Sequence, residues 1–434
     1  MGELTQVGTF EMVDEVLGEC GAVQQRLRKL PARVVVYLLL AATLFEECGY
    51  PAVWRKLTGA LEALPLPTVT ATALWHAAPG SARARCGPCS TCCAARPRRS
   101  APPEPAGPGC WWLPSTARTW TSPTMRTCAP GWARGPTSTP AASGYPQVLL
   151  VALVACGTRA VIDAVFGPRK PGEPVLGRRL LRSLHQGMVV LLDRGFATNP
   201  FLQAVAGTGA GFLARLSAVR KPPILRRFDD GSFLSQIGTV QVRIIECEIT
   251  ISTATGRHSG VYRLATTLLD PHRYPAFELV RLYHERWEVE SAYFAVKQSM
   301  LGRRVLRART WPGIAQEIYA LLTVYQVIRV AIADATSTVP GADPDRASFS
   351  IALHTARDQS VQAAGVIAAT TIDLLGAIGR AVLNHLMPTR RLRVSPRAVK
   401  RPLSRYAYKS LRVDRRTYKA TISIDILLTG PNSP

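Results

Sequence analysis

Four polar residues in the C-terminal half of the chain have types and a spacing that could do chemistry together: Tyr283, Arg286, Glu290 and Lys297. On a continuous α-helix that turns about 100° per residue, all four would share a face about 60° wide. The carboxylate of Glu290 can bind a hard divalent cation. The positively charged side chains of Arg286 and Lys297 can bind phosphate oxygens. The alternative is a solvated helix face with ordinary i,i+4 charge pairs.

A second candidate carboxylate is Asp193, which follows the apolar run of residues 188–192. That run predicts a buried strand, so Asp193 would stand where the strand ends. Alternatively, Asp193 is an ordinary turn residue, because an Asp side chain can hydrogen-bond to the backbone of its own turn. We interpret Asp163 as structural, and Asp229 and Asp230 as members of a hairpin turn.

The elements that would position these residues follow from the hydrophobic pattern. An antiparallel strand pair, a helix and a further strand lead to Asp193, and alternating polar and apolar residues predict a β-rich insertion before Tyr283. Outside this α/β core, the chain has a helical beginning and a helical, basic end. The predicted domains are 1–65 (helical), 66–143 (aberrant, low order), 144–330 (core, with the insertion at about 217–268) and 331–434 (helical and basic).

The net charge of the chain indicates a negatively charged partner. The formal net charge is +24, which is unfavourable self-repulsion unless a polyanion neutralises it. Nucleic acid is the first candidate and an anionic membrane surface the second. Because the apolar run at residues 34–45 is too short to span a bilayer, we expect no membrane partner and a cytoplasmic location, on the nucleoid.

The spacing Tyr-x2-Arg-x3-Glu-x6-Lys resembles the signature of the insertion sequence 4 family of DDE transposases, and residues 283–290 (YHERWEVE) are similar to that family throughout. The resemblance implies an RNase H-like catalytic core that cleaves DNA and transfers strands with two Mg²⁺ ions. It implies that Asp193 is the second metal carboxylate and Glu290 the third. Arg286 and Lys297 would bind DNA phosphates, and Tyr283 would support them by positioning backbone or water.

The partners implied by the same resemblance are the terminal inverted repeats of a bacterial insertion sequence and the target DNA. A homodimer is one assembly state open to the DNA complex.

The chain departs from the family pattern in residues 78–143, which contain no Asp. The family's first carboxylate should end a strand just before Val148. If this segment is translated out of frame, the codon read across Trp111 and Trp112 encodes Val, and the codon across Ser115 and Thr116 can encode Asp, followed by Gly. The restored string would be a buried strand ending in the missing carboxylate. We interpret the segment in this way.

Three alternatives remain at this point. The cysteines of the segment, Cys86, Cys89, Cys92 and Cys93, could form a zinc site, although no second ligand pair follows at suitable spacing. The chain could also be an inactive remnant that at most binds DNA, because the first Asp is missing. Finally, it could be an unrelated basic structural protein in which the four-residue face is accidental.

Overall fold

The computed structural model describes residues 9–19, 21, 23, 30–59, 69–70, 72–74, 110–113, 118–121, 147–168, 172–254, 256–308, 310–361, 374–388, 393–394 and 418–427. The helices in this part of the chain are α1 Phe10–Glu19, α2 Ala32–Leu44, α3 Tyr50–Thr58, α4 Glu173–Gly177, α5 Asn199–Ala206, α6 Ala276–His284, α7 Trp287–Phe294, α8 Trp311–Ser337, α9 Phe349–Val361 and α10 Leu374–Asn384. The strands are β1 Cys110–Leu113, β2 Arg118–Thr121, β3 Gln147–Ala155, β4 Val161–Pro168, β5 Val189–Leu192, β6 Gly211–Arg215, β7 Arg226–Arg227, β8 Phe233–Ile237, β9 Val240–Thr253, β10 Gly256–Thr266, β11 Arg393–Val394 and β12 Tyr418–Ile426.

The chain forms two compact units. The first contains Met1–Leu191, Thr208–Ala210 and Arg286–Met387. The second contains Leu192–Gly207, Gly211–Glu285 and Pro388–Pro434. Each unit therefore draws on segments that are distant in sequence.

The sheet of the first unit is built around β3. This strand is apolar over residues 148–155 and buried throughout, as expected of a strand covered on both faces. It pairs antiparallel with β4 on one side, and with β1 and β2, placed end to end, on the other. Strand β5 is hydrogen-bonded to β1. The order in this unit is thus β5, then β1 with β2, then β3 and β4.

The turn between β3 and β4 is tight because two of its residues adopt positive φ angles. Gly157 has φ 79° and Arg159 has φ 57°, and the Ala155 N–H donates to the Ala160 carbonyl at 2.8 Å. A non-glycine residue seldom occupies this left-handed region. The turn brings Gly157 and Arg159 to the end of β3, where they contact helix α7.

The long helix α8 forms the centre of the helical part of the first unit and packs against α2, α9 and α10. Its mean hydropathy of 1.5 over 18 residues and its length of 27 residues would allow it to cross a membrane, yet 56% of that window is buried inside the protein. Burial of this kind is usual for a core helix. Tyr325, on its inner face, is completely buried.

The second unit is centred on the β9–β10 hairpin. Strand β9 pairs antiparallel with β8 and β12 along its two halves, and β10 pairs with β6. The 228–232 turn precedes β8. It is held by Arg243, whose guanidinium is completely buried and binds Asp230, the Ser232 hydroxyl at 2.7 Å and the Tyr274 carbonyl at 2.7 Å. Asp230 also accepts the Ala276 N–H at 3.2 Å, which connects the turn to the first residue of α6.

Most predicted elements that lie in the described residues are confirmed, including the N-terminal helices, the β3–β4 pair, β5 before Asp193 and the β-rich insertion. The helix predicted between the strand pair and β5 is wrong in part, since Gly177 ends α4 and a 3₁₀ helix follows over Arg178–Ser183. The C-terminal region is not entirely helical, because β12 joins the insertion sheet through β9.

The segment 66–143 also differs from its prediction, because its described part contains β1 and β2 rather than unpatterned chain. Pairing with β3 supplies the strand conformation there, which a local pattern does not encode. Most of the segment, including the cysteines of the zinc alternative, lies outside the described residues, and the predicted domain boundaries stay predictions.

Candidate active site

Asp193 stands directly after β5, whose four residues are fully buried. It is half-buried and caps the 3₁₀ helix Arg194–Phe196, with its Oδ1 accepting the Arg194 N–H at 2.7 Å. This geometry suits a turn residue, and it also presents a carboxylate at a strand end. The structure thus confirms the predicted position of Asp193, while its role as a metal ligand stays a prediction.

Tyr283 is a buried residue of α6, with 7% of its surface exposed. Its hydroxyl donates to the Leu192 carbonyl at 3.3 Å, one residue before Asp193. A side chain this buried is not placed to contact DNA directly, and the predicted supporting role of Tyr283 stays a prediction. The bond favours the form of that role in which Tyr283 positions backbone beside Asp193.

Arg286 and Glu290 form an i,i+4 pair at the beginning of α7, where Arg286 is the N-cap residue. The guanidinium Nη2 lies 3.8 Å from Oε1 of Glu290, and the side chains are 21% and 25% exposed. Both side chains are partly exposed, although Nη1 of the Arg286 guanidinium is buried. The pair could therefore exchange its mutual contact for a phosphate and a cation.

Lys297 lies on a π-helix, Ala295–Met300, that continues α7. It is half-buried. A π-helical turn widens the spacing from i→i+4 to i→i+5, and such turns occur frequently at functional sites. The change rotates Lys297 away from the position that α-helical spacing gives it.

The predicted continuous helix over residues 283–297 is wrong. Helix α6 ends at His284, a turn at Glu285 and Arg286 follows, and α7 gives way to the π-helix at Ala295. The common face about 60° wide was calculated for one regular helix, so the calculation does not apply to this interrupted segment. The i,i+4 relation of Arg286 and Glu290 survives because both residues belong to the same turn.

Comparison with known proteins bears on what these residues do. Residues 1–88 match the family model for the insertion element 4 transposase N-terminal domain, and residues 122–327 match that for the transposase DDE domain. The transposase InsG for insertion sequence element IS4 from Escherichia coli (strain K12) is 26% identical over 416 residues, which span 92% of each chain.

The chain belongs to the insertion sequence 4 family of DDE transposases.

A structural comparison gives a weaker likeness, to the piggyBac transposase synaptic complex with hairpin DNA. The TM-score is 0.37 at 10% identity, and the match covers 65% of this chain and 59% of the other. A TM-score this low does not establish a common fold. Neither family model includes residues 89–121, the part of the chain that holds β1 and β2.

Two carboxylates of the chain are candidates for holding a metal ion. Asp193 and Glu290 offer the carboxylate oxygens that Mg²⁺ prefers. Within the residues that the structure describes, however, no three His, Cys, Asp or Glu side chains form a group that could hold an ion. The assignment of Asp193 and Glu290 as metal ligands therefore stays a prediction.

Other acidic residues singled out in the sequence have structural partners. The Asp163 carboxylate accepts from the Arg182 guanidinium at 2.8 and 2.9 Å and from the Ser183 hydroxyl at 2.7 Å, which confirms its structural interpretation. Asp230 is part of the hairpin turn, as predicted, and its bond to Arg243 could not be seen from the local pattern.

Sequence reasoning missed Glu288 and Arg159, which meet in the interior of the first unit. Glu290 was singled out because it fits the spacing Tyr-x2-Arg-x3-Glu-x6-Lys. Glu288, two residues earlier, belongs to no such pattern. The only signal was an acidic residue on the apolar side of a helix, beside Val289 and Ala292.

Proposed function

We propose that the chain binds the terminal inverted repeats of a bacterial insertion sequence and carries out metal-dependent DNA strand cleavage and strand transfer to target DNA. Family membership is the observation that carries this proposal. The net charge of +24 supports a polyanionic partner. In the DNA complex a homodimer is one assembly state open to the protein, and the cytoplasmic nucleoid is the expected location.

The roles proposed for individual residues are those that the family resemblance implies, and the chemistry of each side chain supports them. Asp193 and Glu290 would be metal ligands, and bound Mg²⁺ would supply an activated nucleophile and a stabilised leaving oxygen. Arg286 and Lys297 would bind phosphates, where a guanidinium offers paired donors and an ammonium a point charge. Tyr283 would hold the Leu192 backbone so that Asp193 keeps its direction at the end of β5.

An RNase H-like core for the first unit is part of the proposal. Its support is the place of β1, hydrogen-bonded to β5 and paired with β3. An Asp encoded just after β1 would end the strand beside β5, the strand that Asp193 follows. The out-of-frame interpretation of residues 78–143 supplies such an Asp across Ser115 and Thr116, which lie outside the described residues.

The second candidate is an inactive remnant that binds DNA without cleaving it. The lack of any Asp in residues 78–143, where the family's first carboxylate is expected, favours it. Cleavage of the element's own ends separates the two candidates. Mg²⁺-dependent nicking by the unaltered chain would contradict the inactive-remnant candidate. Binding of the ends without nicking would support it.

The out-of-frame interpretation has a test of its own, the nucleotide sequence of the gene over residues 78–143. We expect a shifted open frame with Asp-Gly across Ser115 and Thr116. A gene without such a frame would refute this interpretation and leave the missing carboxylate unexplained.

A further inference from the structure

Glu288, two residues before Glu290, is one of the most buried charged residues in the described part of the chain, with 3% of its surface exposed. Its Oε2 accepts the Gly157 N–H at 2.6 Å, and its Oε1 lies 3.8 Å from the Arg159 guanidinium. Both partners belong to the β3–β4 turn. The first turn of α7 is therefore attached to one end of the central strand.

Arg159 extends this contact into a larger polar cluster. It is 4% exposed, forms an ion pair with Asp345 and lies over the Trp287 ring at 5.2 Å. Its carbonyl accepts the Tyr325 hydroxyl at 2.7 Å, and that hydroxyl accepts from Arg329 at 3.0 Å. The left-handed conformation of Arg159 is of the kind that persists only where the surroundings determine it strongly.

The direction of Glu288 excludes a shared ligand role with Glu290. Residues two apart on an α-helix point about 200° away from each other. Glu288 faces the packed side of α7, so Glu290 faces another direction. A second bond, from the Tyr293 hydroxyl to the Leu150 carbonyl at 3.2 Å, attaches the far end of α7 to β3. The helix is thus held at both ends with Glu290 between the attachments.

A buried ion pair is weak evidence for stability, because desolvation of both charges offsets their attraction. Its clearer consequence is the orientation of α7, because the buried charges of Glu288 and Arg159 contact each other in only one arrangement of the helix and the turn. We propose that Glu288, through Arg159 and the Gly157 N–H, is a positioning residue that fixes the first turn of α7 and thereby aims Arg286 and Glu290. This inference rests on the proposed function, in which Arg286 binds a DNA phosphate.

The test is the salt dependence of binding to a duplex that carries the element's own terminal inverted repeat. Each phosphate contact contributes about 0.9 to the slope of log K against log salt concentration. We expect Arg286→Met to make this negative slope shallower by about 0.9, because one phosphate contact is lost. Glu288→Gln should make it shallower by a similar amount. Removal of a negative charge near DNA would by itself strengthen binding, so weaker binding isolates the positioning effect.

Two further variants guard against a trivial loss of folding. The double variant Glu288→Gln/Arg159→Met removes both charges of the buried pair and keeps the net charge. Asp345, the other partner of Arg159, is 24% exposed and remains in contact with solvent, so the variant should fold and still show the reduced slope. Glu317→Gln is the matched control: Glu317 is also 3% exposed, accepts two backbone N–H groups at 3.0 Å and lies near Arg307, but it belongs to α8. Its slope should equal that of the unaltered chain.

The outcomes separate the two levels of the proposal. A reduced slope in Arg286→Met together with an unaltered slope in Glu288→Gln and in the double variant would overturn the positioning role and leave the proposed function intact. An unaltered slope in Arg286→Met would overturn the phosphate contact, and the positioning inference would fall with it.

Discussion

The single residues that matter most in this chain are acids in contrasting surroundings. Glu290 keeps 25% of its side chain exposed beside Arg286. Glu288 and Glu317 are buried and bind backbone N–H groups and arginines. Exposure thus distinguishes the acid that can reach a ligand from the acids that hold elements together.

Glu317 gives a pH-dependent prediction. Burial raises the pKa of its carboxyl above the ordinary 4.5, although the Arg307 and Ala308 N–H groups and the Arg307 charge oppose the change. The folded state therefore binds this proton more tightly than the unfolded state. The stabilising contribution is complete below pH 4.5 and is lost as the pH rises towards the raised pKa.

We expect urea denaturation to show this effect as a difference between the unaltered chain and Glu317→Gln. From pH 4.5 upwards, the unaltered chain should lose stability relative to the variant. A relative gain over the same range would mean that the N–H donors and Arg307 outweigh burial and lower the pKa instead.

At the scale of elements, the transposase signature is divided among α6, α7 and a π-helix rather than carried by one helix. The residues of each piece are fixed by contacts from elsewhere: Tyr283 by the β5 backbone, and Glu288 by the β3–β4 turn. The beginning of α6 is fixed in turn by Asp230 and Arg243.

Arg243→Met should therefore weaken the second unit. The side chain is completely buried and Asp230 is 26% exposed, so the loss of one partner should cost about 3 kcal/mol in the free energy of unfolding. Denaturation followed by circular dichroism would measure it. The matched control is Arg281→Met, which breaks an exposed pair with Glu278 on α6 and should change stability by less than about 0.5 kcal/mol. Equal losses of unfolding free energy in both variants would contradict a stabilising role for the buried contacts of Arg243.

The sequence allowed prediction of elements whose signal is local. The apolar run of β3, the β5 strand before Asp193 and the alternation in β9 each match the structure. Contacts between distant segments could not be predicted in this way. The β12–β9 pairing, the break at Glu285 and the burial of Tyr283 depend on tertiary packing, which overrides local periodicity. The ion pair of Arg159 and Glu288 joins residues far apart in sequence and has no local signature.

At the scale of the whole molecule, the excess of 53 basic over 29 acidic residues should govern the affinity for DNA. We expect binding to duplex DNA to weaken steeply with salt. About 6–10 phosphate contacts would lower the affinity by about 10³–10⁵-fold between 50 and 200 mM salt. Fluorescence anisotropy across a salt series would measure the slope, and a nearly flat response would contradict a phosphate-binding protein.

We propose that DNA cleavage by this family member requires an Asp after β1, which is missing from residues 78–143. The measurement that tests the central claim most directly is Mg²⁺-dependent nicking of the element's own ends. It compares the chain with residues 78–143 translated in the restored frame and the same chain carrying Glu290→Gln. We predict nicking by the first and a loss of at least about 100-fold in the second, as expected when a residue that acts on the transition state is removed. Nicking at equal rates by both would contradict the assignment of Glu290 as a metal ligand.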